Sequence, residues 1–404
     1  MYDETTARLI RSTPDLPDLD RENLPELLSG YYAEIVAARV RVREDEDASL
    51  DEVIDFGIRL AQTNEALVAI IPQRDDRAAA AFVAATAYQL VFQAEHIAGE
   101  GGEYAELNQQ GIAESVAAML LFLIGNASAD AIEVSKHVRL PPGRRIEREL
   151  VRALRFLARG QIRRILDRRE VSKRAIQGDT DAEMAASALY YTLLRAVRTL
   201  AESLLGTSSA DEAIGLCRQV QTLSEYASDD VAGMELAPTS SFAGPYHLAS
   251  LLLSVAGSLQ GGAIVTVPAP TGTDPAQWQK ALQGIASDRP YLWPNHLDAI
   301  DRGLLNTGVS GAVGFPTGAG KSTISQLKIA AHLFAGRKVV FLAPTHALVD
   351  QTSRDLQAAF PRAAIRGERL DEFGFNTGGD ELPDVLVMTP ESCLALAHFE
   401  PDAF

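Results

Sequence analysis

The stretch that most constrains this chain is GFPTGAGKST, Gly314 to Thr323, because it joins an apolar run, SGAVGF, to a helical pattern, STISQLKIAAHLFAG. A strand that turns through glycines into a helix leaves unpaired backbone amides facing the turn, and such amides cradle phosphate oxygens. In that geometry Gly318 and Gly320 let the backbone close in. Lys321 brings a positive charge to the outer phosphates, and Ser322 offers a hydroxyl to Mg2+. Phe315 stands where the strict phosphate-loop pattern has its first glycine.

The residues after the loop keep alternating. KVVFLAP is followed by THALVDQTSRDLQAAF, a short AAIR, DVLVMTP and ESCLALAHF. The strand segments, SGAVGF among them, are continuous apolar runs, the pattern of strands buried on both faces, so a parallel, doubly wound α/β sheet is expected from Ser310 onward. Two more strand ends run into helices through a threonine: Pro344-Thr345-His346, and Thr389-Pro390-Glu391, where proline takes the first helical position and glutamate the first turn. Helix N-termini attract phosphate without any net positive charge in the domain, and in such a sheet all three turns share the carboxyl edge. Taken singly, either threonine also reads as an ordinary cap.

Upstream, from Leu50 to about Tyr226, Ala, Leu, Glu and Arg dominate and apolar residues recur at spacings of three and four, which predicts an all-α region. Thr180 with Glu183 and Ser209 with Glu212 form capping-box patterns. Asp229 to Tyr246 reads as a Ser/Pro/Gly-rich linker, followed by an apolar helix around Leu248 to Leu259 and a short β-like run, Ala263 to Val267. Asp274 and Pro275 mark the next helix start. The expected organisation is an all-α accessory domain over 1–228, linker and connecting helices with a short strand over 229–290, and an α/β domain over 291–404.

The chain carries a net charge of −17, which argues against a generally basic nucleic-acid surface. One segment departs from that background: Arg144 to Arg174 holds twelve basic and four acidic residues. On a continuous helix Arg148, Arg152, Arg155, Arg159 and Arg163 would line one face. That face reads either as a phosphate-contacting stripe or as a solvated surface paired with acidic neighbours, the commoner role of charged helix faces. Only Cys217 and Cys393 are present, far apart, and no Cys/His cluster has metal-ligand spacing. The longest apolar run, Ala117 to Ile124, is far short of the roughly 20 residues that span a bilayer, and the N-terminus lacks a secretory pattern, so a cytoplasmic chain without membrane partners is expected.

FPTGAGKST, APTHALVDQ and VLVMTPES, in that order, resemble motifs I, Ia and Ib of superfamily 2 (DEAD/DEAH-box) helicases over about Leu292 to Leu396. In that family the first loop glycine is commonly replaced, as Phe315 is here. The resemblance implies a RecA-like P-loop domain in which Phe315, Pro316, Thr317, Gly318, Ala319, Gly320, Lys321, Ser322 and Thr323 hold ATP. Lys321 and Ser322 would act on the phosphates, with Ser322 on Mg2+. Pro344, Thr345, Thr389, Pro390 and Glu391 would meet the backbone of a DNA or RNA strand, most naturally a single strand. His296, in Trp293-Pro294-Asn295-His296, occupies the place of a glutamine that reads adenine in many family members. The 404 residues contain no DEAD or DEAH sequence and no second RecA-like domain, so the expectation is an incomplete RecA-like domain that hydrolyses ATP slowly or not at all by itself. The helical region could also dock a protein partner. Two alternatives stand beside the helicase: a non-catalytic nucleotide- or partner-binding adaptor, and a P-loop ATPase outside the helicases.

Overall fold

The computed structural model describes residues 23–44, 49–99, 107–141, 144–226, 239–315, 320–367 and 382–399. Contacts divide the chain into two compact units, Met1–Ala263 with Ala286–Tyr291, and Ile264–Ile285 with Leu292–Phe404.

The first unit is helical. It begins earlier than the sequence pattern indicates, with α1 (Leu24–Glu44), whose Ile35 and Ala38 are fully buried. Next come α2 (Leu50–Ile70), α3 (Arg74–Ala98), α4 (Glu114–Ile124) and α5 (Ser128–His137). Every residue of α4 from Val116 to Ile124 is buried, as befits a helix apolar on all sides, and it packs against α3, α5 and α10 (Ala243–Gly261). Thus the longest apolar run of the sequence is the spine of this unit. Caps act where expected: Thr180 accepts from the Glu183 amide at 3.2 Å to open α8 (Asp181–Leu204), and Ser209 accepts from the Asp211 amide at 3.1 Å to open α9 (Ala210–Ser224). After α9 a two-residue strand, β1 (Glu225–Tyr226), pairs antiparallel with β2 (Thr239–Ser240); the first part of the expected linker, Asp229 to 238, lies outside the described residues. The β-like run at Ala263 to Val267 is instead a 3-10 turn, Ile264–Thr266, and Ala263 makes only an isolated bridge to Tyr291.

The basic segment is not one helix. α6 (Arg145–Ala158) ends at Gly160, whose φ of 66° is left-handed, and α7 (Ile162–Leu166) starts afresh. The expected face is broken there, with Arg163 on a separate helix. Arg152 pairs with Glu149, and Arg159 donates to the Ser135 hydroxyl at 2.8 Å and its carbonyl at 3.3 Å, so these two cations face protein groups.

One charged cluster lies within this core. His247 of α10 contacts Glu65 of α2 at 2.5 Å, and the Tyr88 hydroxyl of α3 donates to the other Glu65 oxygen at 2.9 Å. Burial by itself would lower the His247 pKa, but the Glu65 charge and hydrogen bond, with Glu114 of α4 nearby, raise it above its ordinary value. Burial would likewise raise Glu65, yet His247 and Tyr88 hold it below the usual carboxylate range. Each partner therefore favours the charged form of the other.

The second unit contains α11 (Pro275–Ala286), capped by Asp274, which accepts from the Gln277 amide at 2.8 Å. Trp278 of α11 is buried, donates its ring N–H to the Val267 carbonyl at 2.9 Å, and meets Phe334 of α13 (Lys321–Phe334) edge to face. Between them lies α12 (Pro294–Asp301). Among the described residues the sheet has three parallel strands, β3 (Val339–Leu342), β4 (Ile365–Gly367) and β5 (Val385–Met388), in the order β3-β5-β4. α14 (His346–Ala359) follows β3, and α15 (Pro390–Phe399) follows β5. Central β5 is buried throughout, with Val385 and Val387 packed on Ile329, Val349 and Leu356, and Leu386 and Met388 packed with Leu396.

Two strand expectations differ. β3 is covered on one face only, since Val340 and Leu342 are exposed. SGAVGF forms no strand: residues 310–315 pair with nothing in the sheet, and Val313 is exposed. Glycines at 311 and 314 remove the cross-strand side-chain contacts that stabilise pairing. The ammonium of Lys328 holds the preceding residues on α13 by donating to the Asn306 carbonyl at 2.7 Å and that of Val309 at 3.3 Å.

The Glu65–His247 pair sets a pH dependence. Because the folded pKa of His247 is raised, its stabilising contribution is fully present below about pH 6.5 and is lost as pH rises through the higher folded value. Urea midpoints should therefore fall between mildly acidic and alkaline pH, and His247→Ala should remove that part of the slope while destabilising the first unit by about 1.5–3 kcal/mol, the scale of a hydrogen bond to a charged group. A variant with the wild-type slope would show that the pair does not govern it.

Candidate functional site

The second unit builds its candidate site from helix starts at a strand edge. Register pairs Leu342 with Met388 at the carboxyl ends of β3 and β5, and the Ala343 amide extends the ladder to the Met388 carbonyl at 2.9 Å. Thr345 and Thr389 therefore follow adjacent strand ends at one edge. The Thr345 hydroxyl accepts from the Leu348 amide at 3.3 Å and caps α14; Pro344, Thr345 and His346 are exposed. The Thr389 hydroxyl accepts from the Ser392 amide at 3.2 Å and shares a hydrogen bond with the Ser392 hydroxyl at 3.1 Å. Both of these side chains are buried, so this turn presents Pro390, Glu391 and its backbone to solvent.

α13 runs back along β3 through the short turn at 335–338, and Ile329 in its middle packs with Ala343 at the strand's carboxyl end. Lys321 and Ser322 at its start are exposed, whereas Thr323 is buried and donates its amide to the Gly320 carbonyl at 2.9 Å. Pro316, Thr317, Gly318 and Ala319 lie outside the described residues.

His296 is the residue whose role sequence reasoning missed. It sits at the start of α12, 3% exposed, with its ring stacked on Trp293 at 5.7 Å and 5.6 Å from Phe315. The Trp293 amide donates to Nδ1 at 3.2 Å, which leaves the ring proton on Nε2, and Nε2 donates to the Gly320 carbonyl at 3.1 Å. The position that resembles an adenine-reading glutamine thus holds a residue whose Nδ1 is anchored at the start of α12 and whose Nε2 fastens the close of the loop. Gly320 is at φ 73°, and a Cβ there would lie 2.6 Å from the His296 ring. Only the short spacing from Trp293 to a buried-side histidine signals this in the sequence, and it says nothing of the partner at 320.

A family model described as DEAD/DEAH box helicase matches residues 293–402. The RQC trigger complex helicase SLH1 of Saccharomyces cerevisiae is 34% identical over 124 residues, a match that spans 28% of this chain and 6% of that protein. Residues 293–402 are a DEAD/DEAH-box helicase-type region. Among the described residues no group of His, Cys, Asp and Glu side chains is arranged to hold a metal ion, and no helix is long and apolar enough to cross a membrane.

The His296–Gly320 contact yields a double-mutant test. Gly320→Ala should destabilise the second unit by roughly 2 kcal/mol or more, about 1–2 of it from the left-handed backbone alone and the remainder from collision with the ring. In a His296→Ala background the Gly320→Ala cost should shrink to the backbone part in thermal melts. Equal costs in both backgrounds would show that the ring does not confine the loop.

Proposed function

We propose that residues 291–404 belong to the first RecA-like domain of a superfamily 2 DNA or RNA helicase or translocase, connected through 229–290 to an all-α accessory domain over 1–228. What supports the reading is that the α14 and α15 starts follow adjacent, in-register strand ends, with the glycine–lysine–serine start of α13 in the same region matched by the DEAD/DEAH box helicase model.

The residues fit a nucleotide phosphate. Gly320 leaves no room for a side chain where the loop enters α13, and the first turn of α13 exposes Lys321 and Ser322 at the positive end of the helix. In this reading Phe315 to Thr323 hold ATP, Lys321 neutralises the outer phosphates, and the Ser322 hydroxyl is the protein's ligand to Mg2+. ATP and Mg2+ supply the phosphoryl chemistry whose cycle opens and closes the domain against a second one. His296 keeps Gly320 in its left-handed turn, so the amides are set before nucleotide arrives. Pro344, Thr345, Thr389, Pro390 and Glu391 lie at the rim that faces a nucleic-acid strand. The exposed Thr345 cap and the backbone of the Thr389 turn supply phosphate-directed contacts indifferent to base sequence.

MgATP should raise the melting temperature of the 404-residue chain, by the equivalent of about 2.7 kcal/mol at a hundredfold excess over Kd, and Lys321→Ala should abolish the shift. No shift in the wild-type protein would sink nucleotide binding and favour an adaptor. Turnover by these 404 residues is expected near background, since they include no DEAD or DEAH carboxylate pair to orient Mg2+ and water; brisk hydrolysis lost on Lys321→Ala would overturn that expectation.

A further inference from the structure

The basic segment of the first unit spends part of its charge internally. Arg144 pairs with Glu183 at 3.0 Å, Arg152 with Glu149, and Arg159 with Ser135. Two of the segment's other cations, Arg168 and Arg169, meet two from α8 in a cleft between the end of α7 with the residues after it and the middle of α8. Its lining brings together Arg168, Arg169, Arg195 and Arg198, with Tyr191 among them and Glu149 and Glu170 as its acidic members.

These arginines do different jobs. Arg198 donates to the carbonyls of Ile165, Leu166 and Arg168 at 3.1, 2.8 and 3.1 Å, which fastens the end of α7 to α8 while its charge meets no carboxylate. Arg168 is held by both oxygens of Glu149 at 2.7 and 3.0 Å. Arg169 and Arg195 are exposed and form no ion pair with the described residues. Four guanidiniums therefore face two carboxylates, in a chain whose net charge is −17. Local charge of the opposite sign to the whole molecule concentrates anions at that spot and repels them elsewhere.

We infer that this cleft binds the sugar-phosphate backbone of a single nucleic-acid strand, with Arg169 and Arg195 making the phosphate contacts. The guanidinium fork matches phosphate oxygens in pairs, and the half-exposed Tyr191 ring offers a base a stacking face. An acidic peptide fits less well. Such a ligand needs an open strand edge or apolar anchor pockets, whereas here Ala153, Ile165 and Val171 are buried beneath the charged rim and both flanking elements are helical. Arg198 is a positioning residue: it holds the segment that carries Arg168 and Arg169 without offering itself to the ligand.

The test titrates the 404-residue chain into a fluorescein-labelled oligothymidylate and follows anisotropy across a range of salt. Arg169→Ala/Arg195→Ala should weaken binding at low salt and make the plot of log K against log salt shallower by about 1.4, about 0.7 for each lost phosphate contact. Its melting temperature should stay at the wild-type value, because both side chains are exposed. Arg41→Ala/Arg43→Ala, which removes equal charge from exposed positions on α1, should leave the slope alone. An unchanged slope in the cleft variant, an equal flattening in the α1 variant, or no oligonucleotide binding by the wild-type chain would each overturn the assignment. So would displacement of the oligonucleotide by low concentrations of inorganic phosphate, the mark of a small-anion site, or loss of polyglutamate binding alone, the mark of an acidic protein partner. None of these outcomes alters the MgATP melting shift, so the nucleotide reading of the second unit stands or falls separately.

Discussion

Parallel pairing of β3 with β5 is the constraint on which the candidate site depends. Because Val339 to Leu342 lie beside Val385 to Met388 in the same direction, both strands finish at one level, and the chain must leave each of them at the same edge. A parallel neighbour can be reached only by a crossover, and here helices follow both strands. The apolar contacts of Val385 and Val387 with Val349, Leu356 and Ile329 then hold α14 and α13 against the sheet. Helix starts gather at one rim as a consequence of topology, and a helix start attracts anions without any net positive charge.

The first unit solves a different problem. Its core is built on an apolar helix, α4, enclosed by others, yet it carries a half-buried ion pair between residues 182 positions apart. Charged groups partly withdrawn from water are tolerated there because Glu65 receives hydrogen bonds from both His247 and Tyr88, leaving its two oxygens satisfied. The same accounting separates the arginines of the basic segment. Arg152 and Arg159 found partners inside the protein, whereas Arg169 is exposed and forms no ion pair with the described residues, so equal residues in one stretch of sequence end in unequal surroundings.

The helix starts were legible because caps act over three or four residues: Thr180, Asp274, Thr345 and Thr389 each accept from an amide close by in the chain. The β5 core strand was legible too, since an unbroken apolar run has little choice but burial. SGAVGF was misread for the opposite reason. Its glycines dilute the side-chain contacts that would join it to a neighbour, so its apolar pattern overstated its affinity for the sheet. The basic stripe failed at Gly160, where a single left-handed residue divides what periodicity alone would draw as one face.

By itself the sequence determined the local features of this protein: where helices begin, which runs must be buried, and the glycine, lysine and serine that open α13. These depend on interactions between near neighbours, and the chain carries them wherever it goes. Tertiary structure alone decided that His296 fastens Gly320 across 24 positions, that Glu65 meets His247, and which arginines remain unspent. Each of those outcomes depends on which distant group arrives within hydrogen-bonding reach after the core has packed, and no local pattern encodes that distance.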